Sequence, residues 1–213
     1  HSYDRKKMRT TTVLEAIPDG DVLLHCGDFT NIGEVTEVAA FAECFAKLPH
    51  KRKIIIAGNH DLCFEPRTLP RTGARHGNKD AKDPAGTAAA ARALVEAIPN
   101  CEYLEDSGTS VQGIKVWGSP WQPNHSGWAF NLPRGRPLRT KWRLIPDDTD
   151  VLLTHGPPLG HGDQVRDGRR VGCIDLLNEI QSRVKPAVHA FGHIHEDAGV
   201  TTDGATLLSL IHI

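Results

Sequence analysis

The sequence lacks the features that mark several large classes of protein. No apolar run in its 213 residues approaches the ~20 residues of a membrane-spanning helix, and no secretory signal precedes the first strand-like run. The formal net charge is -1, so there is no excess of positive charge to favour a long nucleic acid or an anionic membrane. We therefore expect a cytoplasmic protein without membrane contact or strong binding to nucleic-acid polymers.

The cysteines lack the pairing that a disulfide framework or a zinc knuckle needs. Their number is odd, and no two of them form a Cys-x-x-Cys pair. We expect free thiols in a reducing compartment. The five positions are Cys26, Cys44, Cys63, Cys101 and Cys173.

The chain is long enough for one large domain with a continuous core. Hydrophobic residues make up 39% and charged residues 24%, which is typical of a globular protein. The sequence begins at His1 without an initiator methionine and stops within a strand-like run at Ile213. We expect residues 1–213 to be a fragment of a single domain that lacks its first strand and its C-terminal strands.

Apolar runs that end at a glycine or a polar residue alternate with segments of helical periodicity. The β-branched run Lys53–Ala57 predicts a buried strand. The spacing of apolar residues over 34–48 predicts a helix, and residues 87–98 and 173–184 predict two more. This order is typical of a mixed α/β domain with two packed sheets flanked by helices.

Two segments between these elements have a different character. Residues 103–117 contain short strand-like runs separated by turn residues, which predicts a meander. Residues 65–85 are rich in proline, glycine and charge, which predicts an exposed loop.

Four short blocks of metal-ligand residue types follow predicted strands, where α/β folds place their sites. Two divalent cations held about 3.5–4 Å apart need a bridging carboxylate with nitrogen and oxygen ligands on each side. One such block alone is usually a turn, but paired histidines in a turn have no common structural use. The blocks are Gly27-Asp28, Gly58-Asn59-His60, Thr154-His155-Gly156 and Gly192-His193-Ile194-His195.

These blocks supply a donor set for a metal centre. A carboxylate is the natural bridge, a side-chain amide offers a neutral oxygen, and imidazoles are common transition-metal ligands. This combination of oxygen and nitrogen donors suits Mn, Fe, Zn or Ni and does not distinguish among these metals. The candidate ligands are Asp28, Asn59, His155, His193 and His195, with His1 as a further imidazole.

The blocks and their order resemble the signature of the calcineurin-like metallophosphoesterase superfamily, and most closely its metallophosphoesterase-domain-containing subfamily. The resemblance implies a four-layer αββα sandwich of two mixed β-sheets flanked by helices, a dinuclear metal centre and phosphodiester hydrolysis. The segments that carry it are Asp21–Thr30, Ile56–Asp61, Phe130–Gly135, Thr154–Pro158 and Val171–Cys173.

The resemblance also implies roles for individual residues. Asp28 would bridge the two ions; Asn59, His155 and His193 would hold one of them, and His195 and His1 the other. His60 would stabilise the transition state or protonate the leaving oxygen. Hydroxide bound to metal would attack phosphorus in line. The family's first aspartate would lie two residues before His1, outside this sequence.

The resemblance favours small phosphodiesters as substrates, in particular 2′,3′-cyclic nucleotides. Two alternatives stay open at this point. The same centre serves phosphomonoesterases and protein phosphatases, and a weakened centre would leave a nucleotide-binding or scaffold protein.

Three other residues allow two readings each. Arg134 is placed either against a substrate phosphate or against a surface carboxylate. Trp121 and Trp128 stack on a nucleobase or, more commonly for such residues, pack within the protein. Asp61 is a candidate for orienting His60.

Overall fold

The computed structural model describes residues 17–210, whose strands form two main sheets. The described strands of the first sheet are all parallel, in the spatial order β1-β2-β3. They are β1 (Val22–His25), β2 (Arg52–Ile55) and β3 (Cys101–Tyr103).

The second sheet is mixed, with six described strands in the order β10-β11-β9-β8-β5-β4. Antiparallel pairs lie at its two edges, and the pairs between them are parallel. Its strands are β4 (Ser107–Val111), β5 (Ile114–Ser119), β8 (Val151–Thr154), β9 (Val188–Phe191), β10 (Gly199–Thr202) and β11 (Leu207–Leu210). A short ribbon joins β6 (Gln122–Pro123) to β7 (Asn131–Leu132).

Four α-helices accompany the described strands. Helix α1 (Val35–Ala46) begins with a reciprocal capping box between Glu34 and Glu37. Helix α2 (Pro84–Glu96) has a proline in its first turn and an Asp83 carboxylate that accepts from the Gly86 amide. The shorter helices are α3 (Arg136–Trp142) and α4 (Ile174–Glu179). Within residues 17–210, no helix has the length and apolar character needed to cross a bilayer.

The alternation of side chains along the strands explains the layers. Ile54 of β2 and Ile56, just after that strand, join Val116 and Leu153 of the second sheet in a buried cluster between the sheets. Their neighbours Ile55 and Leu152 belong instead to the large cluster that includes the helices. Because successive strand residues point to opposite faces, each sheet packs on its partner with one face and on helices with the other. The predicted four-layer αββα sandwich is confirmed.

Two predictions about segments are wrong. Residues 103–117 do not form a meander, because β3 pairs with β2 in the first sheet while β4 and β5 form a hairpin in the second. Residues 65–85 are not an exposed loop, because helical turns at Leu69–Gly73 and Lys79–Lys82 bury several of their side chains. The buried residues include Leu69, Thr72 and Ala81. The five cysteines are free, as predicted.

Candidate metal centre

The four sequence blocks meet at the carboxyl ends of four strands. Asp28 and Asn59 follow β1 and β2 of the first sheet, and His155 and His193 follow β8 and β9 of the second. Adjacent parallel strands place their carboxyl ends at one edge of a sheet, so two sheets packed face to face bring all four turns together.

The donor atoms of these residues converge. Asp28, His155 and His193 each offer a ligand atom, and these atoms lie within 4.8 Å of one another. The Nε2 atom of His155 lies 3.0 Å from Asn59 Oδ1 and 3.3 Å from Asp28 Oδ2. One carboxylate, one amide oxygen and two imidazoles are a donor set that fits a divalent transition metal.

His155 is held in one orientation by the backbone. Its ring is buried, and its Nδ1 donates to the Cys26 carbonyl oxygen at 2.7 Å. This bond directs Nε2 at the other donors, which is how proteins usually orient a histidine ligand.

The charges in the cluster are strongly coupled. Burial is the largest single effect and lowers the pKa of His155, but the Asp28 carboxylate, together with the hydrogen bond to the Cys26 carbonyl oxygen, raises it and the net shift is upward. Burial is also the largest single effect on the pKa of Asp28 and raises it, but His155 and His60 together lower it and the net shift is downward. Burial, with repulsion from His155, lowers the pKa of His193 to about 3. At neutral pH the cluster therefore offers an ionised carboxylate and a neutral His193 imidazole, which are ligand forms.

Asp61 organises the turns that carry the ligands. Its buried carboxylate accepts from the backbone amides of Asp28 at 2.8 Å, Gly58 at 2.7 Å and Thr30 at 2.9 Å, and from the Thr30 hydroxyl at 2.8 Å. The sequence suggested instead that Asp61 orients His60. The His60 ring is held by a different group, because its Nδ1 lies 2.6 Å from the Asn31 carbonyl oxygen.

Gly58 is required by the close approach of two ligands. A Cβ atom at this position would lie 2.6 Å from the His155 ring and would also collide with the Asp28 carboxylate. Any side chain here would push the two donors apart.

His60 lies beside the cluster and faces a cleft. Its backbone amide donates to Asp28 Oδ1 at 2.8 Å. Since its Nδ1 is used by Asn31, Nε2 is the ring nitrogen left for a ligand. The cleft has a volume of about 670 Å³, and its lining includes Asp28, Asn59, His60, His193 and His195.

The residues assigned to a second ion are less completely described. His195 lies in the single turn His195–Asp197, lines the same cleft and is not in the group formed by Asp28, His155 and His193. His1 lies outside the described residues.

Arg134 and Trp121 have structural partners. The Arg134 guanidinium donates to the carbonyl oxygens of Val171 and Gly172, both at 2.6 Å, so its partner is backbone and not a surface carboxylate. Trp121 is buried and donates through Nε1 to Asp106 at 2.9 Å. Sequence reasoning missed the roles of Thr30 and Asn31, and the Asn31 contact leaves no sequence signal because it is made by a carbonyl oxygen.

The sequence is similar to one protein family and to several known proteins. The family described as calcineurin-like phosphoesterase matches residues 5–197. A human relative, Metallophosphoesterase domain-containing protein 1 of Homo sapiens, is 47% identical over 194 residues, which are 89% of this chain and 59% of that protein. UPF0046 protein C25E10.12 of Caenorhabditis elegans is 44% identical over 204 residues, covering 91% of this chain and 67% of that protein.

A solved crystal structure shares the fold. Its TM-score is 0.65 at 16% sequence identity, and the match covers 96% of this chain and 83% of the other. The family match spans most of the sequence and includes every proposed ligand except His1. The chain therefore belongs to the calcineurin-like phosphoesterase family.

Proposed function

We propose that this chain is a phosphodiesterase that uses two divalent metal ions and acts on small nucleotide-like diesters, with 2′,3′-cyclic nucleotides as the expected class. Family membership supports phosphoester hydrolysis. The observation that carries the proposal is the convergence of Asp28, Asn59, His155 and His193 donor atoms beside a cleft that His60 also lines.

The ligand roles rest on the described donor positions for one ion and on the resemblance to the family for the other. Asp28, Asn59, His155 and His193 would hold the first ion, and His195 with His1 would hold the second, with Asp28 as the carboxylate shared by both. When bound, such ions neutralise phosphate charge and supply a water of lowered pKa. Mn, Fe, Zn and Ni all match the donor types.

His60 is the proposed proton donor to the leaving oxygen. Its Nδ1 is fixed on the Asn31 carbonyl oxygen, and its Nε2 is the atom left to face a substrate in the cleft. A histidine in this position stabilises the departing alkoxide by protonating it. An alkoxide is a poor leaving group because it is strongly basic.

The size of the cleft supports a small substrate. Its volume of about 670 Å³ falls within the ~300–1,000 Å³ usual for small-molecule sites. Its lining includes three arginines and an equal number of carboxylates, so the side chains alone give no excess of positive charge: Arg134, Arg166 and Arg169, with Asp28, Asp167 and Glu196. Bound metal ions would therefore supply the positive charge that attracts a phosphate ester.

The test compares substrates on the metal-loaded protein. With added Mn²⁺, we expect a higher kcat/KM for bis-p-nitrophenyl phosphate than for p-nitrophenyl phosphate, and hydrolysis of 2′,3′-cyclic AMP faster than of 3′,5′-cyclic AMP. A preference for the monoester would overturn the diesterase proposal in favour of a phosphatase. Bound metal without turnover of either ester would favour a nucleotide-binding or scaffold role.

Matched variants assign the activity to this centre. His60→Asn is expected to keep its metal and lose about 100-fold or more in kcat on alkyl diesters. His161→Ala is the control, because the His161 ring bonds the Thr201 hydroxyl outside the proposed ligand group. Equal loss of activity in both variants would count against the assignment.

A further inference from the structure

Trp128 lies between two imidazole rings beside the proposed centre. Its ring centroid is 4.3 Å from that of His60, with an interplanar angle of 38°, and 4.5 Å from that of His76, with an angle of 25°. The indole is half-buried and lines the cleft. Its ring is therefore already engaged with protein groups, which leaves little of it for a nucleobase.

The turn that carries Trp128 is tied to the protein on both sides. The Thr72 hydroxyl donates to the Gly127 carbonyl oxygen at 2.7 Å. The Ala129 amide donates to the backbone carbonyl oxygen of Asn59 at 3.2 Å, next to His60 in sequence. Further along, the Phe130 amide donates to Glu65 Oε2 at 2.7 Å. The indole is thus fixed relative to the loop that bears His60.

His60 needs such a support. The bond from Nδ1 to the Asn31 carbonyl oxygen fixes one atom of the ring but leaves the ring plane free to tilt about that bond. A ring packed at 4.3 Å against one face restricts this tilt. Proton transfer to a leaving oxygen is sensitive to such small displacements, and a misplacement of about 1 Å can cost about 100-fold in rate.

We propose that Trp128 is a positioning residue that holds the His60 imidazole in the orientation required for proton donation, and that His76 and the Thr72–Gly127 hydrogen bond support it from behind. This inference rests on the proposed role of His60 in phosphodiester hydrolysis. It also gives the segment 65–78 a function, since that segment supplies Glu65, Thr72 and His76.

A leaving-group series separates this role from substrate binding. Trp128→Ala is expected to lower kcat about 10-fold for diesters with poor leaving groups such as phenol or methanol, and less for p-nitrophenol, which needs no proton. Trp128→Phe should recover most of the rate, because phenylalanine keeps an aromatic face. In a His60→Asn background, Trp128→Ala should cause no further loss, because the group that it positions is already gone.

A second readout does not depend on activity. In proton NMR spectra of the zinc-loaded protein, the His60 ring protons can be assigned by their loss in His60→Asn. They should resonate upfield of those of a histidine in free solution, because of the indole ring current. Trp128→Ala should move them downfield, and His76→Ala should move them in the same direction by less. Should Trp128→Ala fail to fold, judged by its thermal midpoint and metal content, Trp128→Phe and His76→Ala still test the inference.

The outcomes distinguish the proposed role of His60 from the proposed role of Trp128. If His60→Asn leaves kcat unchanged for poor leaving groups, His60 is not the acid, and both the proposed mechanism and this inference fall. If His60→Asn lowers kcat but Trp128→Ala does not, only the inference is overturned. If Trp128→Ala raises KM for 2′,3′-cyclic AMP and leaves kcat unchanged, Trp128 is a base-stacking residue. That result would also overturn the inference.

Discussion

Two of the proposed ligands occupy a backbone conformation that is uncommon for residues other than glycine. Asp28 has φ 61° and His193 has φ 73°, in the left-handed region where most non-glycine residues are strained. Such conformations cost on the order of 1–3 kcal/mol each and persist where the surroundings impose them. Both residues closely follow a strand and turn their side chains into the same cluster, so the conformation serves the site at the expense of stability.

The contribution of a single donor can be measured by metal content. We expect His155→Ala to lose about one equivalent of metal per chain, because its Nε2 lies beside both Asp28 and Asn59 oxygens. Elemental analysis of the purified protein measures this directly. His161→Ala should retain the metal content of the parent, and a full complement in His155→Ala would remove His155 from the ligand set.

Asp61 should matter for stability through the turns that it joins. Asp61→Asn replaces one acceptor oxygen by an NH₂ group that faces amide donors from two separate turns. We expect a loss of about 2–4 kcal/mol in the free energy of unfolding, because buried donors are left without a partner. Urea denaturation measures the loss.

The control for Asp61 is a carboxylate at the surface. Asp148 is exposed and pairs with Lys115, so Asp148→Asn should change stability by less than about 1 kcal/mol. Similar losses in the two variants would show that the hydrogen bonds of Asp61 add little.

At the scale of elements, local patterns in the sequence predict some features well. The helix expected over 34–48 is found at Val35–Ala46, because its apolar spacing and its capping residues are local signals. The four ligand blocks lie at strand ends as predicted, because each follows a short apolar run.

Features that depend on distant partners could not be predicted in this way. The strand Cys101–Tyr103 joins the first sheet through pairing with β2, about fifty residues earlier in the chain, which no local pattern specifies. Residues 65–85 have the composition of a loop, yet Thr72 and Glu65 bond to residues more than fifty positions away. The contact between Trp128 and His60 arises from these same long-range bonds.

Strand β9 carries a histidine that should make stability depend on pH. His189 is buried, and its Nε2 lies 2.8 Å from the Thr154 hydroxyl oxygen, which itself donates to the Gly156 carbonyl oxygen. Nδ1 of His189 has no hydrogen-bond partner among residues 17–210. Burial, with repulsion from His161, lowers the pKa of His189 from 6.5 to about 3.

The direction in which pH changes the stability depends on whether the folded or the unfolded chain binds the proton. Between pH 6.5 and about 3 the unfolded chain protonates His189 while the folded chain keeps it neutral. Folding is therefore weakened as pH falls through this window, by up to about 1.4 kcal/mol per pH unit from this residue. Urea titrations at pH 7 and pH 5 measure how far the free energy of unfolding drops between the two pH values. This drop should be smaller in His189→Gln than in the parent. An equal drop in the two proteins would contradict the predicted effect of His189.

At the scale of the whole molecule, the two sheets pack too closely to admit one extra methyl group. A Cβ atom on Gly118 of β5 would lie 2.6 Å from Leu104 Cβ and 2.7 Å from Ile56 Cγ2. We expect Gly118→Ala to destabilise the fold by about 1–3 kcal/mol, because overpacking forces the sheets or their side chains to move. Denaturation in urea tests this.

Gly199 provides the matched substitution. No described atom lies within 4 Å of a Cβ built on Gly199 in the exposed strand β10. Gly199→Ala should therefore change stability by less than about 0.5 kcal/mol. Equal effects at the two glycines would show that the gap between the sheets can widen without cost.

Two donors of the cluster come from each sheet, which has a consequence for the unfolding of the whole domain. An ion bound there cross-links two layers that are otherwise joined by side-chain packing and connecting loops. Ligands that bind only the folded state raise its stability by about 2.7 kcal/mol at a free concentration 100 times Kd. Chelation should therefore lower the thermal midpoint of the parent protein, and this decrease should be smaller in His155→Ala, whose link between the layers is already weakened.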